Sequence, residues 1–216
     1  MFTHLLFDLD GTLTNPFEGI SNAVCHALEK RGIRIHDRKS LTSFIGPPLP
    51  DSFMEFCHMT REEALAAVED FREYYADRGW YENIPYPGVA DMLAALCARG
   101  KKLFVATSKP EFFAEKILSR FALADYFDGI AGATMDETRT KKADVIAYCL
   151  ARFSVPSENT MMIGDRKHDI LGAKANGLHS LGVLYGFGSR EELLDAGADL
   201  IAETPADVPS AIDKRR

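Results

Sequence analysis

From residue 88 onward, short apolar runs alternate with segments of helical period, and few folds satisfy that alternation. The runs cover residues 103–108, 129–133, 160–165, 179–185 and 199–202. Helices are predicted over 89–99, 110–121, 142–153, 170–176, 190–195 and 206–212. Strands separated by helices call for a parallel sheet covered by helices on both faces. The apolar run His4-Leu5-Leu6-Phe7 adds a first strand at the other end of the chain. Between it and the alternating half, residues 14–86 read as helices with no convincing strand: 17–31, a piece over 41–45, another from about 51, and one running to about 78. The last opens on Thr60-Arg61-Glu62-Glu63, a capping box in which Thr and Glu satisfy each other's backbone N–H. The fold class is therefore α/β, a discontinuous core of residues 1–14 and 87–216 with a helical cap, 15–86, inserted after the first strand.

At 216 residues the chain can bury a sizeable core, and its net charge of −7 argues against nucleic acid, which would need a basic face. The basic cluster Lys214-Arg215-Arg216 reads as a solvated tail. Cys25, Cys57, Cys97 and Cys149 form no CxxC pair, which disfavours zinc. Each falls in a helical segment, as buried or half-buried thiols do, and a reducing compartment suits them. No apolar run reaches membrane-spanning length and no secretory leader is evident, so a cytoplasmic protein without membrane partners is expected.

Parallel strands deliver their carboxyl ends to one rim, where open α/β sheets bind ligands. Asp8 and Asp10 stand there at strand spacing i, i+2, followed by the turn at Gly11. Two carboxylates so close need a cation, a shared proton or solvent. Thr107-Ser108-Lys109 ends another strand, and Asp165 and Asp169 flank a further strand-to-helix turn. Several carboxylates, a hydroxyl and an amine at one rim suit a hard divalent cation and a phosphate group.

These residues carry a specific resemblance. Phe7-Asp8-Leu9-Asp10-Gly11-Thr12-Leu13, Thr107 after its apolar strand, and Gly164-Asp165-Arg166-Lys167-His168-Asp169 resemble, in order, three motifs of the haloacid dehalogenase superfamily of aspartate-nucleophile phosphatases. The likeness spans essentially the whole chain. The tail segments 182–188, 191–193 and 196–199 are similar to the phosphoglycolate phosphatase-like subgroup. The resemblance implies a Rossmann-like three-layer core with a helical-bundle cap of the C1 type. It also implies Asp8 as nucleophile and Asp10 as general acid and then base. Thr107 and the backbone near Ser108 would hold the phosphate. Mg²⁺ would be held by Asp8, the Asp10 carbonyl and Asp165, with Asp169 in support.

The motif lysine departs from the commonest family pattern, a lysine followed by proline: here the stretch is Thr140-Lys141-Lys142-Ala143. Either lysine could reach the phosphate; Lys142 is preferred over Lys141 because its distance to Val145 and Ile146 resembles that of the close subgroup. Lys109 and Lys167 are expected to be solvated, and Arg38, Lys39 and Arg61 to lie on the surface. His168 is expected near the site without acid–base duty, and Trp80 and Tyr86 to serve packing. Phe44-Ile45-Gly46-Pro47-Pro48-Leu49 resembles the subgroup's substrate-facing cap loop, which makes Gly46 and Pro47 candidate substrate contacts. The expected activity is hydrolysis of a small phosphorylated metabolite, 2-phosphoglycolate or a nucleoside 5'-monophosphate. The second arises because 74–75, 80–83 and 86–88 resemble relatives described as 5'-nucleotidases. A sugar-phosphate mutase fits less well. A dehalogenase would not keep Asp10, and a non-catalytic binding protein would not keep the full set. Monomer and homodimer are both open.

Overall fold

The computed structural model describes residues 2–136 and 138–214, so Arg215 and Arg216 of the basic tail lie outside the described residues. It divides into two units, residues 1–14 with 85–216 and residues 15–84.

The chain enters the first unit through β1 (His4–Phe7) and leaves it through the two-residue strand β2 (Thr14–Asn15). The second unit is helical. Helix α1 (Phe17–Glu29) buries Ile20, Val24, Ala27 and Leu28, spaced for one helix face. A 3₁₀ turn, Arg38–Phe44, follows; Asp37 opens it by accepting from the Lys39 N–H at 2.9 Å. Helix α2 (Leu49–Cys57) begins earlier than expected, because Pro50 sits in its first turn, where its missing N–H costs nothing. Helix α3 (Arg61–Tyr74) starts on the capping box: Thr60 N–H donates to Glu63 Oε2 at 2.8 Å, and Glu63 N–H to Thr60 Oγ1 at 3.3 Å. It continues as a π turn, Tyr75–Gly79. There Gly19 of α1 comes so near that a β-carbon on it would stand 2.0 Å from the Gly79 carbonyl oxygen. The chain returns through β3 (Ile84–Pro85), which pairs with β2, so the inserted segment is bounded by two short strands that helical patterning does not reveal.

The first unit resumes with α4 (Val89–Ala98), β4 (Lys102–Pro110), α5 (Glu111–Arg120), β5 (Gly129–Ala133), α6 (Lys142–Phe153) and β6 (Thr160–Gly164). It ends with α7 (Lys167–Ala175), β7 (His179–Val183), α8 (Arg190–Ala196), β8 (Leu200–Ala202) and α9 (Val208–Lys214). Six strands form one sheet in the order β5-β4-β1-β6-β7-β8, every neighbour parallel, as the alternation required. That is the doubly wound order, whose connections reverse direction next to the first strand. Central β1 is buried on both faces: Leu5, Leu6 and Phe7 are all inaccessible. Leu6 packs with Phe104, Met162, Val145 and Ile146 under α6.

Strand β4 runs two residues past the expected end, with a register shift between Thr107 and Pro110. Helix α7 begins at Lys167, three residues earlier than the apolar pattern showed. Its first turn is polar because it carries site residues. Cys25 and Cys57 are half-buried and Cys149 buried, but Cys97 is exposed, at the end of α4. Among the described residues no helix is long and apolar enough to cross a membrane.

Candidate active site

The register of the sheet builds the site. Phe7 lies level with Val105 of β4 and Ile163 of β6, so Asp8 emerges between these strands and donates its N–H to the Ile163 carbonyl at 2.9 Å. Asp8 is 3% exposed and Asp10 7%. Gly11, at φ +85°, turns the chain beneath Asp165, where a β-carbon would lie 2.2 Å from Asp165 Oδ2. Asp165 directly follows β6, and Asp169 lies in the first turn of α7. Gly164 again leaves room, since a β-carbon there would meet the Asp169 Cγ at 2.1 Å.

Four carboxylates are thus buried at the carboxyl edge beside the switch point, and two buried lysines oppose them. Lys142, the first residue of α6, places Nζ 2.8 Å from Asp8 Oδ1 and 2.9 Å from Asp169 Oδ1, and donates to the Ala106 carbonyl at 3.1 Å. Burial alone would lower its pKa, but Asp169 and Asp8 outweigh burial and push it up to about 12. Lys141 is exposed and only precedes the helix. Lys109, expected in solvent, is buried with Nζ 2.5 Å from Asp10 Oδ2. Its N–H donates to Thr107 Oγ1 at 3.2 Å. Spacing alone does not reveal this, because the register shift between Thr107 and Pro110 interrupts the alternation that would send Lys109 the same way as Thr107.

Burial raises the pKa of Asp10, partly offset by Lys109. Burial, then Asp169 and Asp8, hold Asp165 well above the usual carboxylate range. Burial lifts Asp169 to about 6 against the pull of Lys142. Crowding of this kind favours an added cation.

The segment after β7 closes around Asp165. Phe187 N–H donates to Asp165 Oδ2 at 2.8 Å, and Thr12 Oγ1 donates to Oδ1 at 3.4 Å. Tyr86 and Tyr185 meet edge to face, centroids 5.3 Å apart. Burial and then Asp165 raise both phenols. His168 is half-buried and Lys167 exposed. Lys39 and Arg61 are exposed, and half-buried Arg38 bonds Ser21 Oγ at 2.6 Å and Asn22 Oδ1 at 2.7 Å within its own unit.

Asp8, Asp10, Thr107, Lys142, Asp165 and Asp169 are therefore gathered together, with Ser108 half-buried at the same strand end. Gly46, at φ +105°, and Pro47 lie in the 15–84 unit, in the loop before α2. Asp8, Asp165 and Asp169 each offer an oxygen within 4.8 Å of the others. An all-oxygen, buried, anionic donor set fits a small hard dication better than a thiol- or imidazole-seeking metal.

A doubly wound sheet with paired aspartates after its first strand, faced by a lysine and two further acids, makes a site suited to phosphate esters. The chain belongs to the haloacid dehalogenase-like hydrolases, whose family model matches residues 5–183, and it is a phosphoric monoester hydrolase of that family. It is 45% identical over 192 residues to a 5'-nucleotidase of Pseudomonas aeruginosa, covering 89% of this chain and 87% of that one. It is 38% identical over 191 residues to the tyrosine-protein kinase PtkA of Mycobacterium tuberculosis, covering 88% of this chain and 65% of that one. Among solved structures, a predicted phosphatase from Clostridium acetobutylicum superposes with a TM-score of 0.97 at 43% identity, over 99% of each chain.

Proposed function

We propose that the protein is a Mg²⁺-dependent phosphatase that hydrolyses a small phosphate monoester through a phosphoryl group carried on Asp8. The observation that carries this is the placement of Lys142 between Asp8 and Asp169, with Asp165 beside them. In this reading Asp8 Oδ2 attacks phosphorus, since Oδ1 is already engaged by Lys142 and by the Leu9 N–H at 2.7 Å. Asp10 gives a proton to the leaving oxygen and then takes one from the water that releases phosphate from Asp8. Its burial supports the first half of that role, because a raised pKa keeps a proton available. Thr107 and the backbone at Ser108 hold the transferring oxygens, and Lys142 balances their charge. Mg²⁺ would be held by Asp8, the Asp10 carbonyl and Asp165, with Asp169 in support; it supplies positive charge that lets a phosphate dianion approach an aspartate.

For the substrate, the similarity to a 5'-nucleotidase favours a nucleoside 5'-monophosphate over 2-phosphoglycolate. The 15–84 unit would act as the cap, its Gly46-Pro47 loop contacting the leaving group and excluding water. The test is phosphate release from nucleoside monophosphates, 2-phosphoglycolate and an O-phosphotyrosine peptide, with and without Mg²⁺. Mg²⁺-dependent release from a nucleotide is expected, and Asp8→Asn should lower it by at least ~10³-fold with the fold unchanged by circular dichroism. Because a kinase is among the relatives, radiolabelled phosphate should be traced; its appearance on a protein acceptor rather than in solution would displace the phosphatase reading.

A further inference from the structure

We infer that Lys109 is a positioning residue for Asp10: by clamping one carboxylate oxygen it dedicates the other to the proton transfers of catalysis. This rests on the reading above, in which Asp10 protonates the leaving oxygen. Lys109 Nζ lies 2.5 Å from Asp10 Oδ2, and both side chains are buried. Asp10 Oδ1 is also buried, yet it has no hydrogen-bond partner among the described residues. A buried carboxylate oxygen without a donor is costly, so one finds its justification in a group it is set to meet.

The clamp matters because the terminal torsion of aspartate is broad and roughly two-fold, and a free carboxyl presents either oxygen in turn. With Oδ2 tied to an ammonium, Oδ1 is the oxygen left to face the leaving group. The backbone of Lys109 is itself fixed, since its N–H donates to Thr107 Oγ1 at 3.2 Å. One residue therefore couples the end of β4, where the phosphate is expected, to the loop after β1 that carries the acid. The two buried lysines divide the labour: Lys142 serves Asp8 and Asp169, and Lys109 serves Asp10. Misplacing a catalytic group by about an ångström costs on the order of 10²-fold in rate, so such a clamp has a measurable effect.

The experiment compares native protein with Lys109→Met, Lys109→Gln and Lys109→Arg, using phenyl phosphate and p-nitrophenyl phosphate in saturating Mg²⁺. p-Nitrophenolate leaves readily without a proton, whereas phenolate needs one, and kcat/KM reports the step in which the leaving group departs. The inference expects Lys109→Met and Lys109→Gln to lower kcat/KM for phenyl phosphate about 30-fold or more and for p-nitrophenyl phosphate less than about 3-fold. Lys109→Arg should recover most of the phenyl phosphate rate. In an Asp10→Asn background, Lys109→Met should add no further selective loss. Equal losses on both esters, or a change confined to KM, would overturn the positioning role while leaving the phosphatase reading intact. If native protein releases phosphate from neither ester, nor from nucleoside monophosphates or 2-phosphoglycolate, both fall. Should Lys109→Met fail to fold, the Lys109→Gln and Lys109→Arg pair decides by the same ratio.

Discussion

Gly186 shows how single positions govern the site. A β-carbon there would stand 2.3 Å from the Gly11 carbonyl oxygen and 2.4 Å from the Asp165 Cβ. Gly186→Ala must therefore push the segment outward and pull the Phe187 N–H from Asp165 Oδ2. Groups that orient metal-ligating side chains typically govern affinity by 10–100-fold. We expect Gly186→Ala to raise the Mg²⁺ concentration for half-maximal activity about 10-fold, measured by metal titration, with a smaller effect on the substrate KM. At this scale the strand-end acids were legible, because a short apolar run followed by Asp fixes a side chain at the rim. Lys109 was not, since a lysine beside proline after a strand reads as a solvent group until its partner across the sheet is known. The Phe187 contact could not be read at all, because a backbone N–H leaves no mark in the sequence.

Among the elements, helices α7 and α8 are tied by one carboxylate. Glu192 Oε1 accepts from Arg166 Nε at 2.9 Å and from the Lys167 N–H at 2.8 Å, just where α7 begins. Burial would raise the pKa of Glu192, but the Lys167 N–H and the Arg166 guanidinium outweigh burial and lower it. A carboxylate whose folded pKa lies below its unfolded value of about 4.3 stabilises the fold above that pH. The contribution disappears as pH falls through the folded value. Glu192→Gln should thus cost about 1 kcal/mol at pH 7, with the native and variant urea midpoints converging as pH falls below the unfolded carboxylate value. Most elements were legible from period and caps: α6 and β5 have the predicted bounds, and the Thr60 box opens α3. The exceptions have local causes. Helix α7 starts on polar residues committed to the site, and the π turn at Tyr75–Gly79 coincides with the close approach of Gly19 in α1.

For the whole molecule, the four buried carboxylates of the site against its two buried lysines leave a local excess of negative charge that a bound dication relieves. A ligand that binds only the folded state stabilises it by about 2.7 kcal/mol at a hundred times its dissociation constant. Mg²⁺ should raise the Tm by several degrees, a chelator should reverse this, and Asp165→Asn should abolish the shift; calorimetry reads all three. The α/β class was legible because alternation leaves little choice, but the strand order was not, since apolar runs carry no record of which neighbours they join. That order has a consequence for biosynthesis. Leu5, Leu6 and Phe7 leave the ribosome well before their partners, Leu103–Val105 on one edge and Met161–Ile163 on the other. At roughly 5–20 residues per second the nascent chain carries this greasy, doubly unpaired strand for about 8–30 s before its second neighbour exists. The sequence that anchors the chemistry is thus also the one most dependent on shelter during translation.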